Sequence, residues 1–311
     1  VAVAWVIRVG LFIVPFIPLY IADSLFFPYI TGKAFVFRVI VEIIFALWVW
    51  LAIFSPTYRP KKHAIVIAVG IFILIVTLAT IFSQYPEKSF WSNFERMEGL
   101  IAYVHLFAYF LVITHVFKAS DWTIFFSLFL VSGLIENGYA FMQRLGYIPS
   151  IQGGSRVDGT IGNPTYLAAF LIFVVGFALL LRLRVMATWL KYGADTVAVL
   201  SLIAIYFTAT RGVTVALILG VMLAAIVYVI FEKNSPVARR VALGILGLMI
   251  LLPGALYVLR TTSFVQQSQT LVRLTSISMA EASPRLTIWK MGFQGFLEHP
   301  ILGWGPELYP V

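Results

Sequence analysis

The 311-residue sequence contains no cysteine, and only 11% of its residues are charged. The absence of cysteine excludes disulfides, thiolate nucleophiles and cysteine-ligated metal sites. The scarcity of charge, together with 61% hydrophobic residues, excludes an ordinary soluble domain, in which about 25% of residues are charged. Repeated apolar runs near the length of about 20 residues that crosses a bilayer predict a multi-pass membrane protein instead.

The sequence also lacks the patterns of a metal site or a nucleic-acid site. Its four histidines do not show a ligand spacing such as His-Glu-x-x-His, so we predict neither a metal nor another cofactor. The net charge of +9 is not gathered in a basic arm. In a membrane protein such a charge is first a signal of topology, and no nucleic-acid partner is predicted.

The apolar runs predict an all-α bundle of about nine transmembrane helices. We expect residues 1–258 to form this bundle, and residues 259–311 to begin a large external segment that contains an amphipathic helix. The nine predicted spans are 5–21, 34–54, 63–82, 100–117, 122–141, 164–181, 192–208, 212–231 and 240–258.

Basic residues in the loops predict the orientation. Ten of them lie in the alternate loops that include 55–62, 182–191 and 232–239, and six lie in the opposite loops. The positive-inside rule then places the N-terminus and these loops in the cytoplasm, and segments 142–163 and 259–311 outside.

The external segment 153–164 is rich in glycine and polar residues between two spans. Asn163 and Pro164 are typical of the N-cap and first position of a helix. The positive end of that helix would face outward beside Arg156, an arrangement that attracts anions. The alternative is that Arg156 simply pairs with Asp158.

A second arginine occupies an equivalent position. Arg211 and Gly212 follow Thr210 after a short turn and open another helix that runs inward. A charge at this boundary requires a partner. Two such sites suggest one anionic ligand, whereas the alternative is that Arg211 extends to lipid headgroups.

A third arginine, Arg285, follows Ser283-Pro284, which is typical of a helix start. Apolar residues recur after it at helical spacing, which predicts an amphipathic helix on the outer membrane surface. A cation in a first turn opposes the helix dipole, so Arg285 is better explained by a nearby anion. Three charge-assisted contacts would hold a diphosphate.

Polar residues within the predicted spans allow two interpretations. Glu136, Asn137 and Gln143 either line the same cavity or form hydrogen bonds between helices. Arg38 and Glu42, four residues apart, are expected to neutralise each other.

Taken in order, these motifs resemble the O-antigen ligase and O-antigen polymerase superfamily of bacterial membrane proteins. The resemblance extends over most of the chain from about residue 90. The motifs that carry it are Arg156 with Gly159–Pro164, Arg211-Gly212 after Thr210, Arg285 with Trp289, and Glu298–Pro306.

The resemblance implies a metal-independent glycosyltransferase of the bacterial plasma membrane. Such enzymes take a glycan from undecaprenyl diphosphate at the outer face and join it to an acceptor, which is a lipid A core, a growing polymer or a protein. It implies that Arg156, Arg211 and Arg285 hold the diphosphate. Asn163, Gly212 and His299 are expected to line the site.

No catalytic residue is assigned. The family usually carries a His-Asn motif with a catalytic histidine downstream of the segment that matches 299–306. His299 matches the earlier His-Pro, so we expect the catalytic base to lie beyond residue 311.

Two other functions fit the same residues. A transporter or flippase for an anionic or lipid-linked solute would use the arginines within a pathway, but transporters place such charges near the bilayer midplane. A scaffold protein would not bring the three arginines together. We therefore favour the enzyme and leave its acceptor open.

Overall fold

The computed structural model describes residues 2–151, 156–232, 235–276 and 279–308, which are helices joined by turns. Residues 153–155 of the glycine-rich segment lie outside the described residues. The helices are α1 Ala2–Ile13, α2 Thr31–Phe54, α3 Ala64–Ile81, α4 Pro86–Trp91, α5 Leu100–Val116, α6 Ala119–Arg144, α7 Pro164–Arg184, α8 Thr188–Phe207, α9 Arg211–Phe231, α10 Pro236–Val258, α11 Ser263–Gln266, α12 Gln269–Thr275 and α13 Met279–Glu298.

Eight of these segments are long and apolar enough to cross a membrane, counting α1 with the 3-10 turn that extends it to Leu19. The predicted fourth span corresponds to α5, which is shorter, at 17 residues. Each predicted span coincides with a helix of the structure. The predicted all-α transmembrane bundle is therefore confirmed, and the chain is a multi-pass membrane protein.

The chain divides into two compact units. Unit 1 comprises 1–132 and 279–311, and unit 2 comprises 133–278. In unit 1, α2 packs against α1 and α5. In unit 2, α7 packs against α8, and α9 packs against α10.

Small and branched side chains form the centre of unit 2. Along α7, buried positions recur every three or four residues, so one face of the helix points into the unit. Gly133 lets α6 approach α7, because a Cβ added there would lie 2.6 Å from Val174. The lipid solvent explains why many large apolar side chains elsewhere are exposed.

One predicted boundary is wrong. Ser283-Pro284 does not start a helix, because α13 begins at Met279 and continues across Pro284. A proline inside a helix removes one backbone hydrogen bond, and here the helix continues despite that loss. Arg285 consequently does not lie in a first turn, and the argument from the helix dipole does not apply to it.

Candidate functional site

The short loop 156–162 of unit 2 is held by polar side chains of α6. The amide oxygen of Gln143 accepts hydrogen bonds from the backbone N–H groups of Asp158 (3.0 Å) and Gly159 (2.9 Å). Its amide nitrogen donates to Oδ1 of Asp158 at 2.7 Å. Oδ2 of Asp158 accepts from the hydroxyl of Ser150 and the backbone N–H of Ile151. The Asp158 carboxylate therefore shapes the loop.

The same helix contributes a second attachment. The carboxylate of Glu136 is completely buried and accepts from the backbone N–H and the hydroxyl of Thr160. Gly159 has a φ of +60°, and a Cβ there would lie 2.5 Å from Oε2 of Glu136. Only glycine satisfies both conditions, since the left-handed region and the close carboxylate each disfavour a side chain.

Asn137 extends this polar face of α6 to another helix, because its amide donates to Ser201 of α8 at 2.9 Å. Of the two interpretations of Glu136, Asn137 and Gln143, hydrogen bonding is therefore the one the structure supports, and two of the three bind the loop rather than a helix.

Arg156 lies at the start of this loop, beside the turn between α8 and α9. Its Nε donates to the carbonyl of Thr208 at 2.9 Å, and Nη2 donates to the hydroxyl of Thr210 at 3.3 Å. Partial burial lowers the pKa of Arg156, the positive charge of Arg273 lowers it further, and Asp158 acts in the opposite direction. A simple pair with Asp158 does not account for this geometry.

The α8–α9 turn is tight and buried. Ala209 has a φ of +48° and is 2% exposed. It is followed by Thr210 and then by Arg211, the first residue of α9, as predicted. A Cβ added to Gly212 would meet open space, so the surface beside Arg211 is accessible.

The Nη2 of Arg211 donates to the hydroxyl of Ser276, the residue that follows α12, at 3.0 Å. The side chain of Arg156 thus binds the hydroxyl of Thr210, the residue that precedes Arg211.

An apolar hollow of about 470 Å³ lies below this region, between α9, α10 and α12. Val215 lines it, one helical turn after Arg211, and Leu274 of α12 contributes from the other side. Leu219, Met222, Met249 and Pro253 line its deeper part. A hydrocarbon chain fits such a lining.

Asn163 has a local role. Its side-chain oxygen accepts from the backbone N–H groups of Thr165 (2.8 Å) and Tyr166 (3.3 Å) and so caps α7, which begins at Pro164 as predicted. Asn163 thereby fixes the end of the loop that begins with Arg156.

Arg285 and His299 belong to unit 1. Arg285 is exposed on α13, and the apolar residues that follow it at helical spacing are exposed as well. The ring of His299 packs edge-on against Trp304, with centroids 4.2 Å apart. Their participation in a shared site with Arg156 and Arg211 stays a prediction.

The sequence motifs that predicted Arg156 and Arg211 did not identify Arg273 or its helix. α12 is seven residues long, and the hydroxyl of Ser268 caps it at the N–H of Leu271. Ser268 as a helix N-cap and Arg273 in the last turn were the sequence features that could have predicted this helix.

Residues 196–311 match the family model described as O-Antigen ligase. The match begins in α8 and includes Arg211, Arg273 and Arg285. No curated protein and no solved structure gives a significant match to the chain.

Proposed function

We propose that this chain belongs to the O-antigen ligase superfamily, whose family model matches residues 196–311, and that it transfers or polymerises a glycan carried on undecaprenyl diphosphate. The observation that carries this proposal is that Arg156 binds the hydroxyl of Thr210, the residue before Arg211, at the start of α9 and above an apolar hollow. A lipid diphosphate has the matching chemistry, with an anionic group attached to a long hydrocarbon chain.

The proposed orientation has the N-terminus in the cytoplasm and the start of α9 at the outer face of the bacterial plasma membrane. The natural absence of cysteine makes this testable with single cysteines at two exposed positions, Lys61→Cys and Tyr147→Cys. A membrane-impermeant maleimide applied to intact cells should label position 147 and not position 61. The reverse pattern would contradict the orientation.

The arginines would act on the leaving group. During transfer the bond between the sugar carbon and the diphosphate oxygen breaks, a bond to the acceptor oxygen forms, and the acceptor proton passes to a base. Negative charge grows on the departing diphosphate, and fixed guanidinium groups stabilise it. Arg156 and Arg211 supply this charge from unit 2, and Arg285 is proposed to complete the set.

The guanidinium of Arg156 donates to a carbonyl and a hydroxyl oxygen. Such bonds orient a guanidinium without cancelling its charge, which suits a site that must accept a dianionic group. Gly212 leaves room beside Arg211 for the phosphate to approach the backbone of α9. The acceptor is proposed to be a lipid A core, a growing polymer or a protein.

The experiment that tests this function is Arg211→Lys in the whole natural protein, assayed for glycan transfer from undecaprenyl diphosphate glycan. A lysine keeps the charge but lacks the planar fork, so transfer should fall at least about tenfold. Arg182→Lys is the matched control. Arg182 pairs with Asp195 at the end of α7 that lies away from the 156–162 loop.

Wild-type transfer by Arg211→Lys at equal expression would contradict the diphosphate role of this residue and support an arginine that only reaches lipid headgroups. Movement of the lipid-linked glycan across the bilayer without modification of any acceptor would identify a flippase and contradict the enzyme.

A further inference from the structure

Hydrogen bonds near both ends of the short helix α12 hold it against the end of α8 and the start of α9. At its start, the hydroxyl of Thr270 donates to the carbonyl of Tyr206 at 2.8 Å, and the hydroxyl of Tyr206 lies 2.6 Å from that of Ser268. After its last turn, Ser276 accepts from Arg211. These contacts fix α12 beside the turn that carries Arg211, although α12 is 58 or more residues away in sequence.

Arg273 lies on this helix, one turn before Ser276, and residues three apart share a helix face. Arg273 therefore lies on the face of α12 that Arg211 contacts. Its Nε is buried and has no hydrogen-bond partner in the part of the chain that the structure describes. A buried donor without an acceptor is unfavourable, so an acceptor supplied by a ligand would stabilise this position.

The charges around Arg273 also favour an anion as this acceptor. After the effect of burial, the charge of Arg273 is the next cause that lowers the pKa of Arg156. The two guanidinium groups are therefore close enough to repel each other. The carboxylate of Asp158 acts on Arg156 in the opposite direction, but its oxygens accept hydrogen bonds from Gln143, Ser150 and Ile151. Two like charges held together by the fold are stabilised by a bound anion.

We infer that Arg273 is a further ligand of the diphosphate, and that α12 presents it to the group held by Arg156 and Arg211. This inference rests on the proposed function and adds a contact that the sequence motifs did not predict. Leu274, the next residue, lines the apolar hollow. The same short helix would thus contact both the charged group and the beginning of the hydrocarbon chain.

The test uses the whole chain in lipid nanodiscs, with inorganic pyrophosphate and undecaprenyl diphosphate as separate probes. Arg273→Gln should weaken the binding of both probes at least tenfold. Without a ligand, its midpoint of thermal unfolding should equal or exceed that of the wild type, because the repulsion between Arg273 and Arg156 is removed. Arg182→Gln is the control, since Arg182 pairs with Asp195 between α7 and α8 and the variant should bind both probes normally.

A lower unfolding midpoint with unchanged pyrophosphate binding would show that Arg273 is structural and would overturn the inference. Loss of undecaprenyl diphosphate binding alone would also overturn it, because the missing contact would then involve the hydrocarbon chain. If Arg273→Gln does not fold, Arg273→Lys takes its place: weakening of at least threefold supports the guanidinium contact, and full affinity excludes it.

Two further variants separate this inference from the proposed function. Arg156→Gln and Arg211→Gln should each weaken pyrophosphate binding at least tenfold. If they do and Arg273→Gln does not, only the inference fails. If none of the three weakens binding, the proposed diphosphate site fails as well.

Discussion

The buried ion pair of Arg8 in unit 1 contrasts with the hydrogen bonds of Arg156 in unit 2. In unit 1, Nε of Arg8 lies 3.0 Å from the carboxylate of Asp121, and both side chains are buried. Glu42 lies 3.1 Å from Nε2 of His105. In unit 2, Arg156 donates to a carbonyl and a hydroxyl oxygen instead.

We interpret the ion-paired charge as one that stabilises the fold, and the charge without such a pair as one that can bind a ligand. A buried ion pair fixes two helices and is costly to break from one side. An arginine bound to neutral oxygens is positioned while its charge stays available. Removal of Arg8 should therefore damage the fold of unit 1, and removal of Arg156 should damage ligand binding in unit 2.

The largest effect is expected for Arg8→Met, which leaves the carboxylate of Asp121 buried without its cation. The variant should lose about 3–5 kcal/mol of stability, measured as the free energy of unfolding in detergent. The double variant Arg8→Met with Asp121→Leu should recover most of this loss. If Arg8→Met alone were as stable as the wild type, the ion pair would not stabilise the fold, and the contrast with Arg156 would be wrong.

Gly159→Ala should be the next most damaging change, now in unit 2. The left-handed backbone and the displaced carboxylate of Glu136 together should cost about 2–4 kcal/mol. Gly176→Ala is the matched control, because a Cβ there meets open space inside α7. Thermal unfolding of both variants tests this, and equal midpoints would show that the loop adapts to a side chain.

Two helix starts in unit 2 provide a smaller contrast. Asn163→Ala removes the side-chain cap of α7 and should cost about 1 kcal/mol. Thr210 precedes α9 but makes no side-chain cap bond, and its hydroxyl accepts from Arg156. Thr210→Ala should therefore change the unfolding midpoint less than Asn163→Ala, while it weakens pyrophosphate binding more. The opposite ranking would show that Thr210 acts on helix stability.

The smallest effect is expected for Arg182→Gln. Arg182 and Asp195 pair across α7 and α8, but their side chains are 45% and 40% exposed. Exposed pairs contribute about 0–1 kcal/mol, so the unfolding midpoint should barely change. A loss as large as that of Arg8→Met would show that exposure does not distinguish the two pairs.

The positions of the helices could be predicted because a span of about 20 apolar residues is a local property of the sequence. The start of α9 at Arg211 and the cap at Asn163 were local as well, and both are confirmed. The predicted helix start at Pro284 was wrong because proline favours a first turn without requiring one.

The remaining contacts depend on residues far apart in sequence. Arg38 and Glu42 were expected to neutralise each other, and the charge of Glu42 does act on Arg38, but Arg38 donates its hydrogen bond to the carbonyl of Met97 and Glu42 lies beside His105. The position of Arg273 follows from the docking of α12 on the α8–α9 turn. The periodicity of apolar residues cannot predict such a contact, because it forms between helices that are far apart in sequence.

The polar face of α6 has a consequence for the synthesis of the protein. Glu136 and Asn137 leave the ribosome before their partners Thr160 and Ser201, which follow 24 and 64 residues later. During that interval a carboxyl and an amide would meet lipid, which is costly. We therefore expect α6 to remain beside the insertion machinery until α8 has been made, so that the helices of unit 2 enter the bilayer as a group.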